Sequence, residues 1–390
     1  MKFGRGKAEY TVAEVEEWNK SVNLGVGKIT PRKGKTKIDV LLLIAIIALA
    51  AIGLCMVLST SHYSSLLTGK TGISAYEDFI DQAKYVIIGA ALMVGLLLMP
   101  DYVWIKKYAM FLWIIGMVLL LMVLAFPSSA NGADRWLKIG PIKIQPSEFV
   151  KYFVLAAMAA YLQKRYKPTN KRFFILLLLF VIPTGLIFLQ KALSMSIVLL
   201  GMGFIILLVS GTDAKKLVIL ASLGLVGGFA GLRFEEFRWT RTVAFAKGEW
   251  SDQTRQSLYA LGNGGLFGRG MAGSRQKYGF LSESDTDFIF AIFGEEFGFV
   301  GVLVLVALYA FIIWRGIKIA MNARCRFGAY MAMGIISFFA LQAIINMAVA
   351  TNLIPVTGQT LPFISRGGSS IIANFGAFGI LLNISRDIYE

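Results

Sequence analysis

Apolar residues along this chain gather into long runs, separated by shorter stretches rich in Gly, Pro, Asn and charge. A helix rises about 1.5 Å per residue, so a run near 20 residues matches the ~30 Å hydrocarbon layer of a bilayer. The pattern predicts membrane-crossing helices at roughly 39–60, 85–100, 108–127, 148–163, 173–190, 194–211, 216–233, 287–314, 328–351 and 370–386, about ten in all. The second is short. The fold class is all-α: a polytopic integral membrane protein with a large loop, about 234–286, between spans 7 and 8. No short-period repeat or low-complexity tract interrupts it.

Residues 1–38 lie outside this pattern. They hold nine Lys/Arg against four Glu and lack the apolar core and small-residue cleavage site of a signal peptide. They read as a basic, flexible cytoplasmic tail, with a short helix expected over "TVAEVEEWNK", 11–20. The multi-span domain is 39–390.

Charge changes the picture next. A formal net charge of +16 raises nucleic acid as a partner, but topology accounts for it better. With the tail inside, the cytoplasmic loops carry Lys106 and Lys107, then Lys164, Arg165, Lys167, Lys171 and Arg172, then Lys215 and Lys216, then Arg315, Lys318, Arg324 and Arg326. That is the positive-inside pattern with both termini cytoplasmic, and no nucleic-acid partner is expected.

The outer face should then be poor in cations, and it is not. Arg135, Lys138, Lys143 and Lys151 lie in or just after the loop before the fourth span, and Arg269, Arg275 and Lys277 are among the cations of the large loop. Arg366 is in the last loop. Long loops translocate largely regardless of charge, which accounts for part of this. The alternative is an anionic ligand at the outer leaflet, which clustered cations near low-dielectric surroundings would hold.

Two outer segments use glycine and proline for shape. Residues 260–285 contain seven glycines. "NLIPVTGQTLPFISRGGSS", 352–370, ends in a glycine pair that can start a helix at Ser369 or Ser370, with free N–H groups facing outward. In "QPSEF", Pro146 suits the first helical position and Glu148 the third, where it can cap the helix, pair with Lys151 or serve a ligand.

Candidate chemistry is narrow. His62 is the only histidine and reads as interfacial, so His-based metal clusters and Ser–His–Asp catalysis are excluded. Cys55 and Cys325 fall in a span and an inner loop, which argues against a disulfide. Acid–base work must rest on carboxylates, lysine or tyrosine. Asp285, Asp287, Glu295 and Glu296, at or inside the eighth span, need compensation there and are the obvious candidates.

Three stretches carry a resemblance: "NGADRWLKIGPIKIQPSEFVKYFVLAAMAAYL", "GNGGLFGRGMAGSRQKYGFLSESDTDFIFAIFGEEFGFVG" and "IPVTGQTLPFISRGGSSIIANFGAFGILLNISR". In this order, over about 39–386, they resemble the SEDS proteins of shape, elongation, division and sporulation. "GQTLPFISRGGSS" looks more like the division branch than the elongation branch. The resemblance implies a peptidoglycan glycosyltransferase that polymerises lipid II, an undecaprenyl-diphosphate-linked disaccharide pentapeptide, with inversion at the donor anomeric carbon. It implies a class B penicillin-binding transpeptidase and other divisome membrane proteins as partners, at the septum of a bacterial cytoplasmic membrane. A lipid II flippase and a non-catalytic divisome scaffold are the rival readings.

Carried over residue by residue, the family's "HTDF" aspartate is Asp287, the expected general base. Trp136, Glu148 and Lys151 match "RW" and "PSE..K" and are expected near the pocket. Ser365, Gly367, Gly368 and Ser369 match the last-loop motif, while Glu295 and Glu296 match "GEE" and are expected to support. On a regular helix from Asp287, Glu295 would lie about 80° round and Glu296 about 180° round. Arg135, Lys138, Arg269, Lys277 and Arg366 are the cations available to a diphosphate. A divalent cation, Mg or Mn, with Asp285 or Asp287 as ligand, is compatible with this chemistry; no organic cofactor is expected.

Departures from the family pattern are equally specific. Asp285 stands where the family has histidine, Arg366 where a tyrosine is common, and "QKALS", 190–194, replaces "QPD.G".

Overall fold

The computed structural model describes residues 2–3, 10–11, 38–67, 76–126, 128–130, 133–139, 142–163, 169–234 and 236–386. Ten helices occupy the ten predicted spans: α1 (Val40–Leu67), α2 (Glu77–Leu97), α3 (Val103–Ala125), α4 (Pro146–Leu162), α5 (Asn170–Leu189), α6 (Leu193–Val209), α7 (Ala214–Phe234), α10 (Ile289–Met321), α11 (Arg326–Ala350) and α12 (Gly368–Ser385). Seven of them are long and apolar enough to cross a membrane by length and composition; α4 and α6 are shorter, at 17 residues each.

Three local expectations change. The large outer loop is not irregular throughout, because it folds α8 (Glu236–Ala246) and α9 (Asp252–Asn263). The loop before α4 is a small antiparallel sheet of β3 (Ser128–Ala130), β4 (Ala133–Ile139) and β5 (Ile142–Ile144), in that order. In the tail, Thr11 belongs to β2 (Tyr10–Thr11), which pairs with β1 (Lys2–Phe3). The rest of the helix expected over 11–20, and the side chain of His62, lie outside the described residues.

Polar contacts at two levels frame the bundle. At the inner end Arg315 pairs with Asp39 at 2.7 Å and Arg324 with Asp101 at 3.2 Å. The side-chain amide of Asn383 of α12 lies within hydrogen-bond distance of the carbonyls of Leu96, Leu97 and Met99, its two protons shared among them at the end of α2. At the outer end Ser59 of α1 donates to Glu296 of α10 at 2.6 Å. Asp39 and Ser59 are 20 residues apart in sequence. At 1.5 Å per residue that interval is roughly 30 Å, the thickness of the hydrocarbon layer.

Between these levels the packing is tight. α2 lies along α12, where a side chain at Gly379 would meet the Met93 carbonyl at 2.6 Å. The last outer loop, 351–367, dips into the bundle. Phe363 packs edge-on against Phe375 and Phe378 at 5.0 and 5.2 Å, and Tyr309 donates to the Pro362 carbonyl at 2.6 Å. Gly53 of α1 leaves room for the Phe363 backbone. Irregular backbone at this depth is tolerated because protein surrounds it.

Candidate active site

Asp287 lies two residues ahead of α10, in the loop above it and not on the helix. The regular-helix geometry expected for Glu295 and Glu296 therefore does not apply. Asn346 of α11 fixes the backbone here: its side-chain amide donates to the Asp287 carbonyl at 2.8 Å and the Gln359 carbonyl at 2.7 Å. Gly358, at φ +73°, backs the carboxylate, and a Cβ there would be 3.5 Å from Asp287 Oδ2. Burial pushes the Asp287 carboxyl up to about 6, helped by Glu283, opposed by Arg135, and helped to a lesser degree by Asp285.

Arg135 comes from β4 and donates to the carbonyl of Lys191 at 2.7 Å. Lys191 turns the chain between α5 and α6 at φ +60°. Ser194, at the start of α6, donates to the Thr357 carbonyl of the last loop. The hairpin, the α5–α6 turn and the last loop are thus tied together at the outer end. Trp136 is half-buried on β4 opposite Ser128, whereas Lys138 is exposed directly opposite Lys143. Like charges facing each other across a strand pair repel.

Two of the departures in sequence meet in space. Arg366 pairs with Asp285 at 2.9 Å and with Asp78 at 2.6 Å, and its backbone N–H donates to the Asp285 carbonyl. The Asp285 carboxylate thus holds a guanidinium that it shares with Asp78. Asp78 and Gln82 lie four residues apart on one face of α2. Gln82 donates to the Ser365 carbonyl at 3.2 Å and accepts from the Gly367 N–H at 3.3 Å. Tyr85 fills the space beside Gly368, 2.6 Å from where a Cβ would be. This is why α2 begins at Glu77, eight residues before the apolar run expected at 85. Its polar first turns hold the last loop.

The "QPSEF" stretch resolves into pairing. Glu148 takes Lys151 at 2.6 Å with both side chains buried, and Lys151 also donates to Gln342 of α11 at 3.3 Å. Gln145, the N-cap of α4, makes no side-chain cap bond, and its N–H is taken by the Ser369 hydroxyl at 3.0 Å. Capping by Glu148 is not observed; Ser369 does that work. Gln342 lies one turn from Asn346, so one face of α11 touches both Lys151 and the Asp287 backbone.

Glu295 and Glu296 hold the glycine-rich loop. Glu295 accepts from the Ser274 hydroxyl at 2.5 Å and from the Arg275 and Gln276 N–H groups at 3.1 and 3.2 Å, with Arg269 at 3.9 Å. Lys277 donates to Glu296, to Ser59 and to the Ala272 carbonyl. An ammonium has three protons, and all are used. In this structure these contacts give Lys277, expected among the substrate-binding residues, a positioning part. Ser365 is likewise a clip, donating to the Thr286 carbonyl and accepting from the Leu361 N–H.

Among the described residues, no group of three or more His, Cys, Asp or Glu comes together to hold a metal ion. Of the two carboxylates expected as ligands, Asp285 is engaged by Arg366. Cys55 and Cys325 are both free thiols.

Asn346, Gln342, Gln82, Asp78 and Gly358 were not singled out by sequence. The available signal was Gln342 and Asn346, polar residues four apart inside an apolar span.

This arrangement has known counterparts. The family model for FtsW, RodA and SpoVE, described as cell cycle protein, matches residues 39–390. The chain belongs to this FtsW/RodA/SpoVE family. Stage V sporulation protein E of Bacillus subtilis is 38% identical over 371 residues, covering 90% of this chain and 98% of that one. A probable peptidoglycan glycosyltransferase FtsW of Geobacter metallireducens is 33% identical over 359 residues, covering 89% and 94%. A solved structure described as structural coordination of polymerization and crosslinking by a peptidoglycan synthase complex superposes with a TM-score of 0.74 at 25% identity, covering 90% of this chain and 99% of that one. Family membership agrees with the all-helical multi-pass architecture and with the SEDS resemblance of the three stretches.

Proposed function

We propose that this FtsW/RodA/SpoVE-family chain is a peptidoglycan glycosyltransferase that polymerises lipid II at the outer face of the bacterial cytoplasmic membrane. The observation that carries the assignment is Asp287: a carboxyl raised to about 6 by burial, at the outer end of the bundle and opposed by the charge of Arg135. A general base works best when its pKa lies near the working pH.

In the proposed step Asp287 accepts the proton of the acceptor's GlcNAc 4-hydroxyl as that oxygen attacks the donor's anomeric carbon. The bond from that carbon to the diphosphate oxygen breaks, the configuration inverts, and the lipid diphosphate leaves with its bonding electrons. Arg135, with Lys138 and Lys143 on the hairpin, supplies positive charge for the leaving group. Arg269, with its guanidinium partly exposed, is a further candidate. Polymerisation with added magnesium or manganese, and with a chelator, tests whether a divalent cation is required.

The flippase reading wants polar groups through the bilayer. In α5, α6 and α7 the ionisable residues of the described chain fall at the ends: Lys171 and Arg172, Lys215 and Lys216, and Arg233. That distribution favours chemistry at the outer surface. The complex of polymerization and crosslinking among the similar structures supports a transpeptidase partner; a class B transpeptidase, other divisome proteins and a septal site are the finer roles proposed with it. The similarity to a sporulation protein makes spore-wall synthesis the competing role. Depletion should give filamentous cells if the role is septal, and normal division with defective spores if it is not.

The deciding assay combines the purified chain, its cognate transpeptidase and labelled lipid II. Asp287→Asn should make no glycan polymer while still binding the transpeptidase. Polymer at the normal rate would overturn the mechanism. Normal wall synthesis in cells carrying the variant would favour the scaffold.

A further inference from the structure

The eighth spanning helix, α10, is not continuous. Gly298 has φ +66° and ψ −170°, breaking the helix nine residues after its start. The break frees backbone groups, and a loop segment takes them. The N–H groups of Arg269 and Gly270 donate to the carbonyls of Glu295 and Glu296, both at 3.0 Å. In return, Phe299 and Val300 donate to the carbonyls of Gly265 and Leu266, at 2.9 and 3.0 Å. The backbones lie so close that a Cβ on Gly268 would strike the Glu296 carbonyl, and one on Gly298 would strike the Gly268 nitrogen. Residues 264–270, a run of turns, are thus laid into the gap.

Depth follows from the helix itself. Phe299 and Val300 are 16 and 15 residues above Arg315, the inner polar level. At 1.5 Å per residue that is roughly 22–24 Å up a hydrocarbon layer of ~30 Å, and helix tilt would place them deeper. Phe299, Val300, Leu303 and Val304 are all exposed, an apolar face turned away from the bundle. Beside them, Leu266 is 64% exposed and Phe267 81% exposed. Two large apolar side chains so open to water would be costly, but in lipid they continue the face of α10. The reciprocal hydrogen bonds are what a non-helical backbone needs at that depth.

We propose that residues 264–271 form a re-entrant loop, with Leu266 and Phe267 in the acyl-chain region of the outer leaflet. The partner is the bilayer, and the loop anchors the large outer segment to it. Through Ser274, Arg275 and Gln276 on Glu295, and Lys277 on Glu296, the anchor is continuous with the chain leading to Asp287. The inference does not depend on the proposed enzymatic activity.

The test uses the full chain in proteoliposomes, with Cys55→Ala and Cys325→Ser to clear native thiols. A nitroxide is attached at Phe267→Cys, and in a second variant at Leu266→Cys. Collision rates with dissolved oxygen and with a water-soluble nickel chelate report depth. The oxygen-to-nickel ratio at both sites should match that of a label at Leu303→Cys, and far exceed that at the exposed Ser282→Cys. Nickel access equal to that at 282 would place the loop in water and overturn the proposal. Shielding from both reagents would mean that protein covers the loop, and would overturn it equally.

Discussion

Asp287 must be ionised to act as a base, yet its surroundings favour the neutral acid. Burial is the largest influence, then Glu283, with Arg135 opposing and Asp285 adding a smaller push, and the carboxyl ends at about 6. The sign is fixed: protonation below that value removes the base, so polymerisation should fall about tenfold per pH unit below about 6 and level off above it. Initial rates on lipid II between acidic and neutral pH measure this limb. A folded-state pKa above the ordinary carboxylate value also means the ionised form weakens the fold as pH rises. Asp287→Asn should therefore abolish polymer while leaving the Tm equal or higher. A lowered Tm would assign the residue to structure. Next to it, the Asp285–Arg366 contact joins two departures from the family pattern, histidine to aspartate and tyrosine to arginine, in one ion pair. Asp285→Asn and Arg366→Gln should be non-additive, with a coupling of ~1 kcal/mol in a double-mutant thermal cycle, modest because the pair is partly exposed. Neither residue alone predicts the other in sequence. Their 81-residue separation is closed only by the fold.

At the level of elements, spans were legible and their interruptions were not. Apolar length reports a helix that crosses lipid, and nine of the ten helices begin within about five residues of the runs. The α2 start was missed because Glu77, Asp78, Asp81 and Gln82 are polar; Asp78 and Gln82 contact the last loop. The break in α10 was missed because its cause lies in a loop some thirty residues earlier, whose backbone replaces the helix's own hydrogen bonds. Helical spacing within α10 could not show that Glu295 and Glu296 face this loop. Their buried clamp is testable. Lys277 is buried with Glu296, whose second carboxylate oxygen has no hydrogen-bond partner among the described residues. Lys277→Met should cost ~3–5 kcal/mol by stranding a buried charge. Adding Glu296→Gln should recover most of that loss. Thermal unfolding in one detergent reads both, and a double variant no more stable than the single would rule out charge compensation.

Across the whole molecule, the two polar levels set the bilayer between them, and the outer one coincides with a gathering of loops from four parts of the chain. The hairpin, the α5–α6 turn, the last loop and the glycine-rich loop meet there through Arg135–Lys191, Ser194–Thr357 and Arg366–Asp285. Composition showed the excess of outer cations but could not sort them. The fold does: Lys151 and Lys277 are buried and paired, whereas Lys138 and Lys143 stand exposed and opposite each other. Such a pair is unfavourable in the free protein and is relieved when an anion lies between the two ammonium groups. If the anion is the donor's diphosphate, Lys138→Gln with Lys143→Gln should raise KM several-fold, with a smaller change in kcat, because the contact is made before the transition state as well as in it. The same variant should be equally or more stable to heat, since a repulsion has been removed. Added salt should shrink the KM difference, the Debye length falling from about 10 Å at 0.1 M towards about 3 Å at 1 M. A KM indifferent to both substitution and salt would remove the hairpin from diphosphate binding and leave Arg135 as the principal cation facing Asp287.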